Sequence, residues 1–139
     1  MEKILVVYYS MTGNTEMMAN AIKEGLNGSA DVTSVKVGDK PPIEGYDKIM
    51  FGCAAAGAEV LDDSEFDPYF SDIEKYLSGK KVALFGSYDW GDGTWMRDWQ
   101  DRVLAAGAQL FEEGLKINLV PDEAGLETCR NFAKRFAQF

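Results

Sequence analysis

Residues 10–15, Ser-Met-Thr-Gly-Asn-Thr, put three hydroxyl side chains, an asparagine and a glycine directly behind the apolar run Ile4–Tyr9. That grouping suits an oxyanion. A helix beginning near Asn14 presents backbone N–H groups with no intrahelical acceptor, and its positive dipole end lies in the same place. Ser10, Thr12 and Thr15 add hydroxyl donors, and Gly13 lets the backbone come close to a ligand, so the stretch reads as a phosphate-sized cradle. Capping alone explains one or two of these residues, not the set. Lysine and arginine are absent from the stretch, so the GxxxxGK[ST] loop that grips a triphosphate is missing, as is the GxGxxG dinucleotide fingerprint. A terminal monophosphate held by neutral donors fits better than a triphosphate with its magnesium.

Other chemistries are excluded by composition. The chain has no histidine, which removes His-based triads and imidazole metal sites. Cys53 and Cys129 are its two cysteines; they match no CxxC or zinc spacing, and both read as core residues. Twenty-three acidic against 14 basic residues leave a formal charge of −9, which argues against nucleic acid and anionic membrane as partners. It suits an acidic face for a basic partner, or simply a well-solvated surface. Apolar runs are too short to span a bilayer, and the amino-terminal Met-Glu-Lys-Ile-Leu-Val-Val lacks the layout of a cleavable signal, so a cytoplasmic protein is expected.

The elements that must position the cradle follow from periodicity. Lys3–Tyr9, Asp31–Val37, Lys48–Cys53, Lys81–Gly86 and Leu115–Val120 read as strands. Between them Met18, Ile22 and Leu26 share one helical face, as do Phe66, Tyr69, Phe70, Ile73 and Leu77. Trp99 with Val103, and Leu126 with Cys129, Phe132 and Phe136, mark two more helices. The alternation implies an α/β fold, a doubly wound five-stranded parallel sheet with helices on both faces. Strands one, three and four are apolar almost throughout, whereas two and five alternate, which places those at the edges and gives the order 2-1-3-4-5. Without linker or repeat, residues 1–139 read as a single domain. Ligands of such sheets bind at the strand carboxyl ends, where winding reverses between strands one and three. The loops there are Ser10–Thr15, Ala54–Leu61, Ser87–Thr94 and a shorter one near Pro121.

With SMTGNTE at 10–16, GCAAAGAEVL at 52–61 and SYDWGDGTW at 87–95, the chain resembles the flavodoxin family, and specifically its short-chain members from anaerobic bacteria. Flavodoxins are the type example of this strand order, so the resemblance implies the flavodoxin-like three-layer sandwich. It also implies non-covalently bound FMN and low-potential one-electron transfer between semiquinone and hydroquinone, by a carrier rather than an enzyme. By similarity, Ser10, Met11, Thr12, Gly13, Asn14 and Thr15 hold the FMN phosphate. The short side chains of Ala54, Ala55 and Ala56 let main-chain groups reach the ribityl chain and ring edge, and Glu59 faces the pyrimidine edge. Gly57 corresponds to the redox-responsive glycine: rotation of the Gly57–Ala58 peptide offers flavin N5 a carbonyl, through a turn that demands φ > 0 at Gly57. From the third loop, Ser87, Tyr88, Trp90 and Gly91 line the flavin, with Trp90 covering its outer face and Tyr88 the alternative.

Glu59, Asp62, Asp63, Asp89 and Asp92 surround that site and disfavour an anionic flavin. One carboxylate about 8 Å away contributes about 2 kcal/mol at an effective dielectric near 20. Two positions depart from the family pattern: Ala56, where a larger apolar residue is common, and Ala58, where a polar one is. The resemblance implies partners that are basic-faced reductases and oxidoreductases docking at the acidic flavin edge of a monomer. An FMN-dependent activating flavoprotein or a small quinone reductase is the alternative. A phospho-acceptor receiver of the same fold is excluded, because YYS, FGC and NLVPD stand where its acids and lysine belong.

Overall fold

In the computed structural model, which describes residues 1–57 and 59–139, alternate side chains of the central strands serve two separate cores. Strands β1 (Lys3–Tyr9), β2 (Asp31–Lys36), β3 (Lys48–Cys53) and β4 (Lys81–Tyr88) are parallel, in the order β2-β1-β3-β4. Helices α1 (Asn14–Leu26) and α4 (Glu123–Ala137) cover one face, where Ile4, Val6, Met50, Ala83 and Phe85 are buried. Helices α2 (Phe66–Ile73) and α3 (Thr94–Ala105) cover the other, over Leu5, Val7, Ile49, Phe51, Val82 and Leu84. This is the two-sided burial that strands without alternation require, each buried side chain contributing about 1.5–3 kcal/mol. On the first face α1 and α4 approach so closely at Gly25 that a Cβ there would collide with the Arg130 backbone.

The fifth position is where the structure differs from expectation. It is occupied by two short pieces, β5 (Gln109–Leu110) beside Lys81–Val82 and β6 (Leu115–Asn118) beside Phe85–Tyr88. Between them Phe111 packs against the rings of Phe132, Phe136 and Phe139, Glu112 takes φ +50°, and the Gly114 amide bonds to Gln100 Oε1 at 2.6 Å. A two-residue strand carries no periodicity, so β5 was invisible in the sequence. At the other end β6 stops at Asn118, not Val120, because Leu119 turns at φ +60°.

Lys48 is a buried cation at the amino end of β3. Its ammonium donates to the carbonyls of Phe136 and Ala137 at 3.2 and 2.9 Å and pairs with Glu2 at 2.8 Å, so it caps the negative end of α4. Burial pushes the Cys53 thiol up to about 12 and the Cys129 thiol to about 11, as expected of core residues. Among the described residues no helix is long and apolar enough to cross a membrane, and no three acidic or cysteine side chains are grouped to hold a metal ion.

Candidate functional site

Where β1 hands its chain to α1 on one face and β3 hands its chain to the other, the sheet opens into a cleft of about 210 Å³. It is lined by the first three predicted loops: Met11 and Thr12, then Ala54 to Gly57 with Glu59, then Ser87 to Trp90. A larger depression of about 710 Å³ lies between α1 and α4, around Asn20 and Leu126, away from every strand end.

In the first loop Gly13, at φ +98°, caps α1 without a side-chain acceptor of its own. Ser10 supplies that acceptor: its Oγ takes hydrogen bonds from the amides of Gly13 and Glu16, both at 3.1 Å. Its hydroxyl hydrogen stays available for an anion at the helix start, alongside the Asn14 and Thr15 amides that helix geometry leaves without intrahelical acceptors. Thr12 and Met11 are exposed at the rim and Asn14 is half-buried. Thr15 is differently employed. Fully buried, it sits 2.9 Å from Ser87 Oγ and accepts from the Ser87 amide at 3.2 Å, joining α1 to the end of β4.

The second loop is a closed hairpin. Ala56 and Val60 exchange amide–carbonyl bonds of 2.8 and 3.0 Å, with Gly57 and Glu59 beyond that bridge. Gly57 has φ +49°, the sign expected, and a Cβ on it would meet nothing within 4 Å, so glycine is needed there for conformation and not for space. Ala58, read as the other half of the rotating peptide and as a cofactor-binding position, lies outside the described residues. Glu59 also has a positive φ, +57°, and its Oε1 accepts the Gly93 amide at 3.0 Å while its side chain lies against Gly91. The second and third loops are thus latched together, and the Ala55 amide adds a 3.0 Å bond to the Ser87 carbonyl.

Asp62 closes the hairpin onto α2. Its buried carboxylate accepts Ser64 Oγ and the amides of Glu65 and Phe66 at 2.8, 2.8 and 2.9 Å. Burial raises its pKa, but the amides of Phe66 and Glu65 and the Ser64 hydroxyl outweigh that and hold the carboxyl below its usual range. Leu61 enters the core, whereas Val60 stays exposed.

In the third loop the Trp90 indole is 65% exposed, free to cover a planar ligand, whereas Tyr88 is half-buried with its ring 5.6 Å from that of Trp95. Trp95 in turn donates its Nε1–H to the Cys53 carbonyl at 3.1 Å, tying α3 to the end of β3. The Thr94 hydroxyl, with Arg97 beside it, lowers the pKa of exposed Asp92. Two lining residues were missed by sequence reasoning. Asp89 enters the sequence reading only as a charge, and Tyr9 follows Leu5 and Val7 in strand alternation, the signal that points it to the same face.

Neutral anion donors at one end of the cleft and an exposed indole at the other define the class: a doubly wound α/β protein shaped for a mononucleotide with a planar ring. The sequence signature described as "Flavodoxin" matches residues 6–132. The flavodoxin of Clostridium beijerinckii is 46% identical over 135 residues, covering 95% of this chain and 97% of that one. The flavodoxin of Megasphaera elsdenii is 44% identical over 122 residues, 86% of this chain and 88% of its own. The solution structure of two-electron reduced M. elsdenii flavodoxin superposes with a TM-score of 0.88 at 40% identity, covering 98% and 99% of the two chains. Oxidised flavodoxin 2 of Bacillus cereus does so at 0.86 and 39% identity, covering 98% of each. The chain belongs to the flavodoxin family. It is an FMN-binding electron-transfer protein and not an enzyme, which corresponds to the carrier reading of its loops.

Proposed function

We propose that FMN occupies this switch-point cleft and that the protein carries single electrons to and from basic-faced oxidoreductases. When bound, FMN supplies the one-electron chemistry; the chain supplies binding, shape and charge. Ser10 and Thr12, the Gly13 turn, the amides of Asn14 and Thr15, and Met11 at the rim hold the phosphate end. Ala54, Ala55 and Ala56 admit the ring, Ser87, Tyr88 and Gly91 shape its far side, Trp90 covers it, and Glu59 serves the pyrimidine edge. Gly57, at the tip of a bridge-closed hairpin, is the redox-linked peptide. The positive φ at Gly57, in open space, supports that role.

One observation carries the proposal: Ser10 gathers two amides at the start of α1, beside the same cleft that the exposed Trp90 overhangs. Removing the Ser10 or Thr12 hydroxyl takes a donor from a charged group, worth about 1.5–3 kcal/mol. Ser10→Ala and Thr12→Ala are therefore expected to weaken FMN by about tenfold or more while leaving riboflavin nearly unchanged. Equal losses for the two ligands in a fluorescence titration would place the phosphate elsewhere. The same reading has residues 1–139 working as one cytoplasmic FMN-binding unit and as a monomer, which sedimentation of the FMN-loaded protein checks.

A further inference from the structure

Beyond the cleft, the end of β6 carries an apolar pair that the fold does not use. Asn118 stands opposite Tyr88 in the sheet, its Nδ2 donates to the carbonyls of Tyr88 and Asp89 at 3.1 and 3.2 Å, and the Leu119 amide donates to Tyr88 O at 2.8 Å. Residues 119 and 120 therefore leave the sheet beside the loop that bears Trp90. Leu115 and Ile117 pack against the α1/α4 core, and strand alternation would send Leu119 the same way. Its φ of +60° turns it outward instead, leaving it 51% exposed, with Val120 at 64%.

A leucine rarely adopts that backbone, where glycine or asparagine is comfortable. An apolar side chain held outside by strain points to a contact made elsewhere. Nor is the pair loose. The bond to Tyr88 fixes one side, buried Pro121 fixes the other, and the residue before a proline is confined to extended backbone. Little freedom would be lost on contact.

We propose that Leu119 and Val120, with Trp90, form the apolar centre of a docking face for a redox protein whose own apolar centre is ringed by lysine and arginine. The charge around the pair selects that chemistry. Asp89, whose carbonyl Asn118 holds, and Asp122, whose carboxylate caps α4 through the Gly125 amide, form no ion pair among the described residues; nearby Arg97 is engaged by Asp92, and Lys116, which lies against Gly93, offsets one of the two acids. The acids steer encounter and the apolar pair sets the residence time. This rests on the FMN reading of the cleft, because a docking face beside Trp90 serves electron transfer only if the flavin is there.

The test uses a zinc-substituted c-type cytochrome, a basic, redox-inactive protein with a lysine-ringed porphyrin edge, titrated by calorimetry into the FMN-loaded protein at low and high salt. For Leu119→Ser/Val120→Ser the dissociation constant is expected to rise about tenfold, equivalent to about 1.4 kcal/mol, with an unchanged salt slope. Leu119→Gly, which relieves the backbone while deleting the side chain, is expected to weaken binding in the same direction with no loss of thermal stability. Unchanged affinity in both variants, or an altered salt slope alone, overturns the proposal. So does a concentration-dependent dimer of the native protein that the double variant abolishes, since the occupant would then be a second copy. FMN binding is measured separately by fluorescence quenching. Its absence in the native protein sinks the cleft reading, whereas unaltered cytochrome affinity with FMN bound sinks only this one.

Discussion

Replacing Asp62 tests how the cleft wall is held. The carboxylate is 5% exposed and accepts three hydrogen bonds, from Ser64 Oγ and the Glu65 and Phe66 amides. It thereby caps the start of α2 and anchors the end of the 54–61 hairpin. Caps of this kind are worth about 0.5–2 kcal/mol, and an amide left buried without an acceptor costs about 1–3 kcal/mol. Asp62→Ala should lose about 2–3 kcal/mol of stability, and Asp62→Asn, which keeps one acceptor oxygen and the volume, about 1 kcal/mol. Because folding lowers the pKa of this group, its charge-dependent stabilisation is complete above the unfolded value near 4 and disappears as pH falls through the lower folded value. Urea unfolding of the native protein and Asp62→Asn in steps from neutral pH to about pH 3 should show a gap that closes only below about pH 4. A gap of constant size across that range would mean the oxygen acts by geometry and not charge. No gap at neutral pH would refute the capping argument altogether.

Other positions give independent expectations. Gly57→Thr meets no steric obstacle, so its penalty is backbone strain of about 1–3 kcal/mol. The first one-electron potential of bound FMN should fall by roughly 40–130 mV, and a spectroelectrochemical titration with an unchanged potential would rule out peptide rotation. Trp90→Ala should raise flavin fluorescence and loosen FMN, whereas Tyr88→Ala, which removes a ring packed on Trp95, should chiefly lower stability; the reverse order would assign the covering ring to Tyr88. Lys48→Met strands two α4 carbonyls and should cost about 1–3 kcal/mol, with faster amide exchange in the last turn of α4. FMN affinity should not change in that variant, since Lys48 lies at the opposite end of the sheet from the cleft.

Patterns that repeat over several residues were readable without coordinates. The unbroken apolar runs of β1, β3 and β4 require helices on both faces, and the polar alternation of 31–37 and 115–120 requires edges, so strand order followed from burial together with the doubly wound connection rule. The strand order located the cleft, and residues 10–15, 54–61 and 87–94 named its walls, because loops at the carboxyl ends of a doubly wound sheet have nowhere else to meet. Tertiary structure alone decided which hydroxyl gathers the helix-start amides and which is consumed in the core. Ser10 and Thr15 look alike in sequence, yet one collects amides at the rim and the other is locked to Ser87 across 72 residues. Likewise Glu59 reaches Gly93, Asp62 turns into α2, and Leu119 swings outward at the point where β6 ends. These are single-residue decisions made by partners distant in the chain. A period of two or 3.6 averages over neighbours and carries no record of them.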